Sequence, residues 1–271
     1  FRPERIQIFG SGEMAYLEQA ENSPRVLENL ERIFTFNVPC VIVSNGLEAP
    51  RCLCELGVKY QTPILVSPHH TTKLYKRVWE ALDLVFAPRT VMHGVLVDVF
   101  GVGVLIVGKG GVGKSECALE LVTRGHVLVA DDLVETRCLS SVVLMGYANQ
   151  TIPYHMELRG LGIIDVNRVF GARAIRPSKR IRLVVMLEAW DEAKEYERLG
   201  IEERYCEILE VEIPCLVIPV CPGRNISTIV EVGALQQKLK RMGIDVAKEM
   251  NEKLIQLTRR KATPASGQFQ K

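Results

Sequence analysis

The chain has 271 residues, of which 47 % are apolar, and its 34 Lys and Arg against 32 Asp and Glu give a net charge of +2. This length allows a sizeable hydrophobic core in one large or two smaller domains, and the near-neutral charge gives no strong field towards nucleic acid or anionic lipid. The eight cysteines form no C-x-x-C pair and no long apolar run occurs, so the sequence predicts free thiols in a reducing cytoplasm and no membrane span.

Within residues 1–86, short segments that favour helices alternate with short segments that favour strands. Apolar residues three and four positions apart favour the helices, and short apolar runs closed by turn residues favour the strands. This pattern predicts a small N-terminal α/β domain of about four helices and three strands. The chain starts at Phe1 and not at Met, so we expect this domain to be truncated at its start. The predicted helices include 11–19, 23–34 and 71–86, and the predicted strands include 38–45 and 61–67.

A proline in the segment 87–90 interrupts the helical pattern and predicts a linker before a second domain at 91–271. Valine-rich runs then dominate, and they are too numerous for a regular doubly wound sheet. We expect an α/β protein whose second domain is a β-rich nucleotide-binding core closed by terminal helices. The predicted strands include 126–132, 142–148, 161–166, 181–190, 210–220 and 227–233, and the predicted helices are 234–243 and a last one capped by Asp245.

The sequence G-x-x-x-x-G-K-S at 108–115 follows an apolar run at 102–107 and opens a helical pattern that ends before Gly125. Strand, glycine-rich turn and helix together form the context of a P-loop, whose backbone N–H groups cradle phosphates. Lys114 is expected to reach the β- and γ-phosphates and the Ser115 hydroxyl to face Mg²⁺. The predicted nucleotide-binding residues, called the P-loop below, are Gly108, Lys109, Gly110, Gly111, Val112, Gly113, Lys114 and Ser115.

Asp131 and Asp132 end the next apolar run, where a P-loop protein normally carries its Walker-B carboxylate. If the strand continues through both residues, their side chains point to opposite faces, so one could serve Mg²⁺ while the other accepts a proton from a hydroxyl substrate. The alternative is a pair of turn acids at a strand end, with Glu135 or Glu157 serving the metal. The N-K-x-D motif of GTPases is absent.

The segment "YHMELRGLGIIDV", residues 154–166, places Glu157 and Arg159 beside two glycines that let the backbone turn closely past a ligand. Alone it could be an ordinary strand with a bulge. Together with the P-loop and the two aspartates, it resembles the HPr kinase/phosphorylase family, which acts on the phosphocarrier protein HPr. The motifs that carry the resemblance are "HGVLVDVFGVGVLIVG", "GKGGVGKSECALELVTRGH", "LVADD", "MELRGLGIIDV", "RLG" and "PVCPGRN", in the family's order.

The resemblance implies an ATP site at the P-loop with magnesium at Ser115 and Glu157. It also implies a catalytic set of His93, Lys114, Arg198 and the aspartate pair. We assign Asp131 as the base and Asp132 to the metal, although the sequence leaves the choice open. Residues 157–166 resemble a segment needed in both reaction directions. A second segment resembles one needed mainly for dephosphorylation, namely Pro219, Val220, Cys221, Pro222, Gly223 and Arg224.

The resemblance further implies an enzyme that phosphorylates a serine of HPr with ATP and that runs in reverse, using inorganic phosphate to release pyrophosphate from phosphoserine-HPr. It implies a homohexamer, while the charge, cysteine usage and lack of a long apolar run described above predict a cytoplasmic protein without nucleic-acid or membrane partners. Family members generally carry Ser or Thr at the position of Gly110, so one side-chain contact to phosphate is expected to be missing. The alternatives are a P-loop kinase for a small metabolite and a non-enzymatic, nucleotide-gated binding module.

Overall fold

The computed structural model describes residues 2, 4–18, 23–149, 153–194, 203–251 and 253. The chain divides into two units, Phe1–Phe86 and Ala87–Lys271. The second unit's first strand begins at Arg89, so half of the segment predicted as a linker belongs to a strand.

In the first unit, three parallel strands lie side by side in the order β1, β2, β3. Helix packing follows the periodicity of the sequence, since Val26, Leu30 and Phe34 lie on one face of α2 and are all buried. The prediction of four helices and three strands is confirmed for the described residues of this unit. The elements are β1 (Gln7–Phe9), α1 (Ser11–Leu17), α2 (Pro24–Phe34), β2 (Val41–Val43), α3 (Arg51–Lys59), β3 (Ile64–Val66) and α4 (Thr71–Phe86).

The second unit is built on a large mixed sheet in the order β4, β8, β9, β12, β6, β5, β7, to which β14 and β13 add beside β12. A separate antiparallel hairpin is formed by β10 and β11. The strands are β4 (Arg89–His93), β5 (Val95–Val99), β6 (Val102–Gly108), β7 (Val127–Ala130), β8 (Leu133–Leu139), β9 (Val143–Tyr147), β10 (His155–Leu158), β11 (Gly162–Asp165), β12 (Ser178–Ala189), β13 (Arg204–Ile208) and β14 (Val211–Val220). The helices are α5 (Lys114–Thr123), α6 (Val166–Phe170), a 3₁₀ turn (Ala172–Ala174) and α7 (Ile226–Arg241).

The long strand β12 organises this sheet. Its first residues pair antiparallel with β9, and the rest pair in parallel with β6 on one side and β14 on the other. Because β5 runs antiparallel to both β6 and β7, the strands β6, β7, β12 and β14 all point the same way. Their carboxyl ends therefore meet at one edge, which is where ligands bind in open α/β sheets.

Both faces of the central strands are covered. One face packs against α5 and α7 through residues such as Val104, Leu121 and Val230, and the other forms a second core around Leu105 and Leu144. Burial on both faces explains why these strands appear in the sequence as continuous apolar runs.

Residues 227–233 form the first half of α7, so their prediction as a strand is wrong. The valines and isoleucine favoured a strand locally, but the Asn225 side chain accepts a hydrogen bond from the Thr228 N–H and caps a helix. Val230 and Ala234, four residues apart, are buried against α5. The last predicted helix is described over 246–251, where Asp245 accepts a hydrogen bond from the Lys248 N–H.

All eight cysteines are free thiols, and among them only Cys117 and Cys138 are buried. No helix in the described part of the chain combines the length and apolar character needed to cross a bilayer.

Candidate active site

The P-loop joins the end of β6 to the start of α5. Gly108 needs to be a glycine because a Cβ there would lie 2.4 Å from the carbonyl oxygen of Leu187 on the neighbouring strand. Gly111 and Gly113 have φ angles of +77° and +99°, which favour glycine, and Gly113 is the N-cap of α5. The loop thus delivers the free N–H groups of a ten-residue helix to the carboxyl edge of the sheet, an arrangement suited to phosphate.

Lys114 places its ammonium group at the mouth of this loop. The Nζ atom donates hydrogen bonds to the carbonyl oxygens of Gly108, at 3.1 Å, and of Lys109, at 3.2 Å. The side chain therefore folds back over the turn and positions a positive charge where a phosphate group of a nucleotide would lie.

Asp131 lies directly against the P-loop. The Ser115 hydroxyl lies 3.0 and 3.1 Å from the two carboxylate oxygens of Asp131, to which it donates. Burial raises the pKa of the Asp131 carboxyl to about 6, although hydrogen bonds from Ser115 and from the backbone N–H groups of Asp132 and Glu157 oppose the rise. A desolvated carboxylate beside a serine hydroxyl provides two oxygen ligands suited to Mg²⁺.

Asp132 faces away from that pair. It has a φ angle of +64°, so strand geometry stops at Ala130 and does not continue through both aspartates. Its side chain is 81 % exposed, and Oδ1 lies 3.8 Å from Nδ1 of His93, itself 80 % exposed. The register of β4 with β8 pairs His93 with Leu133, and the Gly94 N–H donates to the Asp132 carbonyl oxygen at 3.0 Å. These backbone contacts bring the two residues side by side.

This geometry favours the opposite of our assignment for the two aspartates. Asp131, which we assigned as the base, contacts the P-loop serine and lacks the exposure that a protein substrate needs. Asp132, which we assigned to the metal, is open to solvent beside His93. The sequence could not distinguish the two residues because a left-handed φ angle at a non-glycine residue has no simple sequence pattern.

The hairpin of β10 and β11 brings two further residues to this edge. Glu157 is exposed on β10, while its backbone N–H bonds to Asp131. Arg159 lies in the turn and rests on the P-loop, since a Cβ on Gly111 would lie 2.7 Å from its Nη2 atom. Arg159 belongs to the segment 157–166 that resembles one needed in both reaction directions, but the sequence analysis gave it no role of its own.

Of the remaining predicted residues, Arg198 lies outside the described residues. Pro219 and Val220 are the last residues of β14, and the chain turns through Gly223 and Arg224 towards α7. Gly223 and Arg224 line the same cavity as Val112 and Gly113 of the P-loop. The segment resembling one needed for dephosphorylation thus lies beside the phosphate cradle.

Comparisons with known proteins cover nearly the whole chain. Residues 1–82 match the family model described as HPr Serine kinase N terminus, and residues 85–254 match that of the HPr Serine kinase C-terminal domain. A relative from Caldicellulosiruptor bescii named HPr kinase/phosphorylase is 47 % identical over 254 residues, covering 94 % of this chain and 81 % of its own. A relative of the same name from Treponema pallidum is 46 % identical over 262 residues, covering 96 % and 82 %.

A solved structure described as the Hpr(Ser) kinase/phosphatase from Coxiella burnetii resembles this chain with a TM-score of 0.54 and 29 % identity. The match covers 60 % of this chain and 99 % of that one.

Proposed function

This chain belongs to the HPr kinase/phosphorylase family, and we propose that the P-loop, the aspartate pair and His93 form the site of its two opposed phosphoryl transfers. The protein is a serine kinase and phosphorylase acting on HPr. In one direction a phosphoryl group passes to a serine of HPr, and in the other inorganic phosphate removes it and leaves as pyrophosphate. We propose ATP as the nucleotide that supplies the phosphoryl group.

One observation carries the placement of the site, namely the contact between Ser115 and Asp131. It brings the phosphate cradle and the acid pair together at one sheet edge. A transferable phosphoryl group in the cradle would then lie near Asp132 and His93, which are exposed enough for a protein substrate to reach.

In the forward direction, backbone N–H groups of the P-loop and the Lys114 ammonium hold the β- and γ-phosphates. Asp132 accepts the proton of the serine hydroxyl as the serine oxygen bonds to the γ-phosphorus, and ADP leaves with the electron pair of the broken bond. In reverse, an oxygen of inorganic phosphate bonds to the phosphorus of phosphoserine. The bond to the serine oxygen breaks, Asp132 returns the proton to that oxygen, and pyrophosphate remains. His93, whose Nδ1 atom lies 3.8 Å from Oδ1 of Asp132, helps to orient that carboxylate.

The residues present fit Mg²⁺. The described residues contain no group of three His, Cys, Asp or Glu side chains arranged for a metal, and Mg²⁺ commonly takes only one or two protein carboxylates and completes its shell with phosphates and water. We propose Asp131 and Ser115 as its protein ligands, with Glu157 on the adjacent hairpin. When bound, Mg²⁺ would neutralise charge on the phosphates.

Three further elements of the proposal rest on family membership. Arg198 belongs to the catalytic set, and Pro219–Arg224 serves mainly the phosphorolysis reaction, which its place beside the P-loop supports. The protein assembles as a homohexamer in the cytoplasm, and the free thiols are compatible with a reducing compartment. Mass measurement of the purified protein in solution would test the hexamer.

The central experiment incubates the protein with HPr, Mg²⁺ and ATP, and then with inorganic phosphate. We expect the mass of HPr to rise by one phosphoryl group on a serine and then to return as pyrophosphate appears. A Lys114→Ala variant should lose both reactions. A small-metabolite kinase would leave HPr unmodified and would consume ATP only when another acceptor is present. A non-enzymatic binding module would bind ATP without consuming it. Either result would contradict the proposal.

A further inference from the structure

The segment 219–224 runs from the end of β14 to the start of α7. Its first two residues pair with the end of β12. The chain then turns at Gly223, whose φ angle is +81°, and the Arg224 N–H donates to the Cys221 carbonyl oxygen at 3.3 Å. The position of this turn beside the P-loop therefore depends on how its two ends are held, one by β12 and the other by the start of α7.

Glu120 holds the start of α7 against α5. Its carboxylate accepts hydrogen bonds from the Asn225 amide and from the Ser227 hydroxyl, both at 2.9 Å. Asn225 directly follows Arg224 and caps α7, because its side chain also accepts a hydrogen bond from the Thr228 N–H. The hydrogen bond from Asn225 is the main cause of a lowered pKa of the Glu120 carboxyl. The contact is therefore a charge-assisted one.

Arg124, the C-cap residue of α5, joins Glu120 to α7. Its guanidinium group donates to Glu120 on its own helix, and across the helix pair it donates to the Thr228 hydroxyl at 2.9 Å and to the Glu231 carboxylate at 2.8 Å. Glu231 is also held by the buried His126, whose Nε2 atom lies 2.9 Å from its Oε1 atom. One planar cation thus bonds a carboxylate on each helix, a geometry that an ammonium group does not reproduce.

From these contacts we infer that Arg124, acting through Glu120, is a positioning residue for the phosphorolysis reaction. It holds the start of α7 so that Gly223 and Arg224 stay at the cavity that they share with the P-loop. Arg124 is not among the described residues that line this cavity, so it acts through α7 and not by contact with a substrate. This inference rests on the proposed function, because it assumes that the segment 219–224 serves the reaction with inorganic phosphate.

The two reactions should depend on this arrangement to different extents. Inorganic phosphate enters as a small, separate anion, and a guanidinium group such as that of Arg224 binds it only where the segment is held in place. ATP carries its phosphates as one chain, which the P-loop N–H groups and Lys114 hold. Loosening the start of α7 should therefore raise the KM for phosphate more than the KM for ATP.

The test compares Arg124→Met and Arg124→Lys with the parent protein in both reactions, with HPr or phosphoserine-HPr and Mg²⁺. Methionine keeps the apolar stem of the side chain without the charge, and lysine keeps the charge without the planar geometry. We expect Arg124→Met to raise the KM for inorganic phosphate at least about tenfold, while kcat and the KM for ATP in the phosphorylation direction change less than about threefold. Arg124→Lys should restore part of the loss.

Val230→Ala is the matched control for a general loss of stability. Val230 is fully buried on α7, and its side chain forms no hydrogen bonds, so the variant should unfold at a lower temperature with the ratio of the two reactions unchanged. Asn225→Ser is a second variant that leaves Arg124 in place. Serine still caps a helix but is too short to reach Glu120, so it should raise the KM for phosphate selectively as well.

Equal losses in the two reactions, or a KM for phosphate within about twofold of the parent value in either Arg124→Met or Asn225→Ser, would overturn the inference. A selective rise in Val230→Ala would also overturn it, because any loosening of α7 would then have the same effect. Failure of the parent protein to release pyrophosphate from phosphoserine-HPr would be a different result, since it would overturn the proposed function and the inference with it.

Discussion

The hydroxyl of Ser115 donates to the carboxylate of Asp131 across 3.0 Å, joining the first turn of α5 to the end of β7. This contact places a largely desolvated carboxylate next to the N-terminus of α5. Burial accordingly raises the pKa of Asp131 to about 6 from its ordinary 3.8. A charged carboxylate in such surroundings lowers the stability of the metal-free protein. The same carboxylate is well placed to bind a divalent cation.

The first prediction concerns stability in the absence of metal. Between 3.8 and about 6 the native protein keeps a proton on Asp131 that the unfolded chain releases, so the free energy of unfolding falls as pH rises through this window. Above a pH of about 6 the buried, charged carboxylate lowers the free energy of unfolding by its full amount, about 2–3 kcal/mol. Asp131→Asn should therefore stabilise the metal-free protein near pH 8 by about this amount, and the gain should shrink towards zero as the pH approaches 4. Denaturation at several pH values measures it.

Asp132→Asn is the control for that experiment, because its side chain is 81 % exposed and asparagine tolerates positive φ angles. Its stability should follow the parent protein closely, with only a small change because the Asp132 charge contributes to the raised pKa of Asp131. A pH-independent gain in Asp131→Asn, or the same gain in Asp132→Asn, would contradict a buried carboxylate as the cause.

The second prediction separates the roles of the two aspartates. Asp132→Asn should lower kcat about 10²–10⁴-fold in both reaction directions, because it removes the proton acceptor, while Mg²⁺-ATP should bind nearly as before. Asp131→Asn should instead weaken Mg²⁺-dependent nucleotide binding. Calorimetry and turnover with HPr on both variants provide the comparison. The reverse pattern would support Asp131 as the base.

Sequence patterns predicted the elements that local chemistry determines. The helix after the P-loop runs over Lys114–Thr123 and Gly125 follows with a φ angle of +96°, as periodicity and glycine position indicated. The same local logic failed at 227–233, because a side-chain cap and burial against α5 outweighed the strand preference of β-branched residues. The sequence analysis also did not predict β8, Leu133–Leu139. Buried and half-buried residues alternate along this strand, and charged residues occupy some of the half-buried positions.

The site was predictable only in part, because its contacts join residues far apart in the chain. The P-loop and aspartate pair could be located from motifs, but the rotation of Asp132 towards His93 depends on one backbone angle and on the pairing of β4 with β8. The cavity wall joins Val112 to Ser227. These two residues are far apart in the sequence, and no helical or strand periodicity relates them. Only the folded structure shows that they line the same cavity.

The third prediction tests the close pairing of β6 with β12. A Cβ on Gly103 would lie 2.1 Å from the carbonyl oxygen of Arg180, a backbone atom that cannot move without separating the strands. Gly103→Ala should lower the free energy of unfolding by about 3 kcal/mol. Gly101→Ala, two residues earlier, meets nothing within 4 Å but has a φ angle of +86°, so it should cost only about 1 kcal/mol. Thermal unfolding measures the stability of both variants. Equal losses of stability would contradict a clash with the Arg180 carbonyl oxygen as the cause.

The last prediction concerns Arg159 and Gly111. A Cβ on Gly111 would lie 2.7 Å from the Arg159 Nη2 atom, so an alanine there displaces the guanidinium group from the P-loop. If Arg159 contributes charge-assisted hydrogen bonds to a bound phosphate, Arg159→Ala should weaken pyrophosphate binding about tenfold. Gly111→Ala should weaken it at least as much, because strain at a φ angle of +77° adds to the displacement.

A double-mutant cycle distinguishes displacement from strain. With Arg159 already removed, Gly111→Ala has no guanidinium to displace, and only the strain remains. The double variant should therefore bind pyrophosphate more tightly than the two separate losses predict when they are added. Gly110→Ala is the neighbouring control, since it meets nothing within 4 Å and has no positive φ angle, and it should bind pyrophosphate almost normally. Fully additive losses would show that Gly111 acts through the loop conformation alone, with no dependence on Arg159.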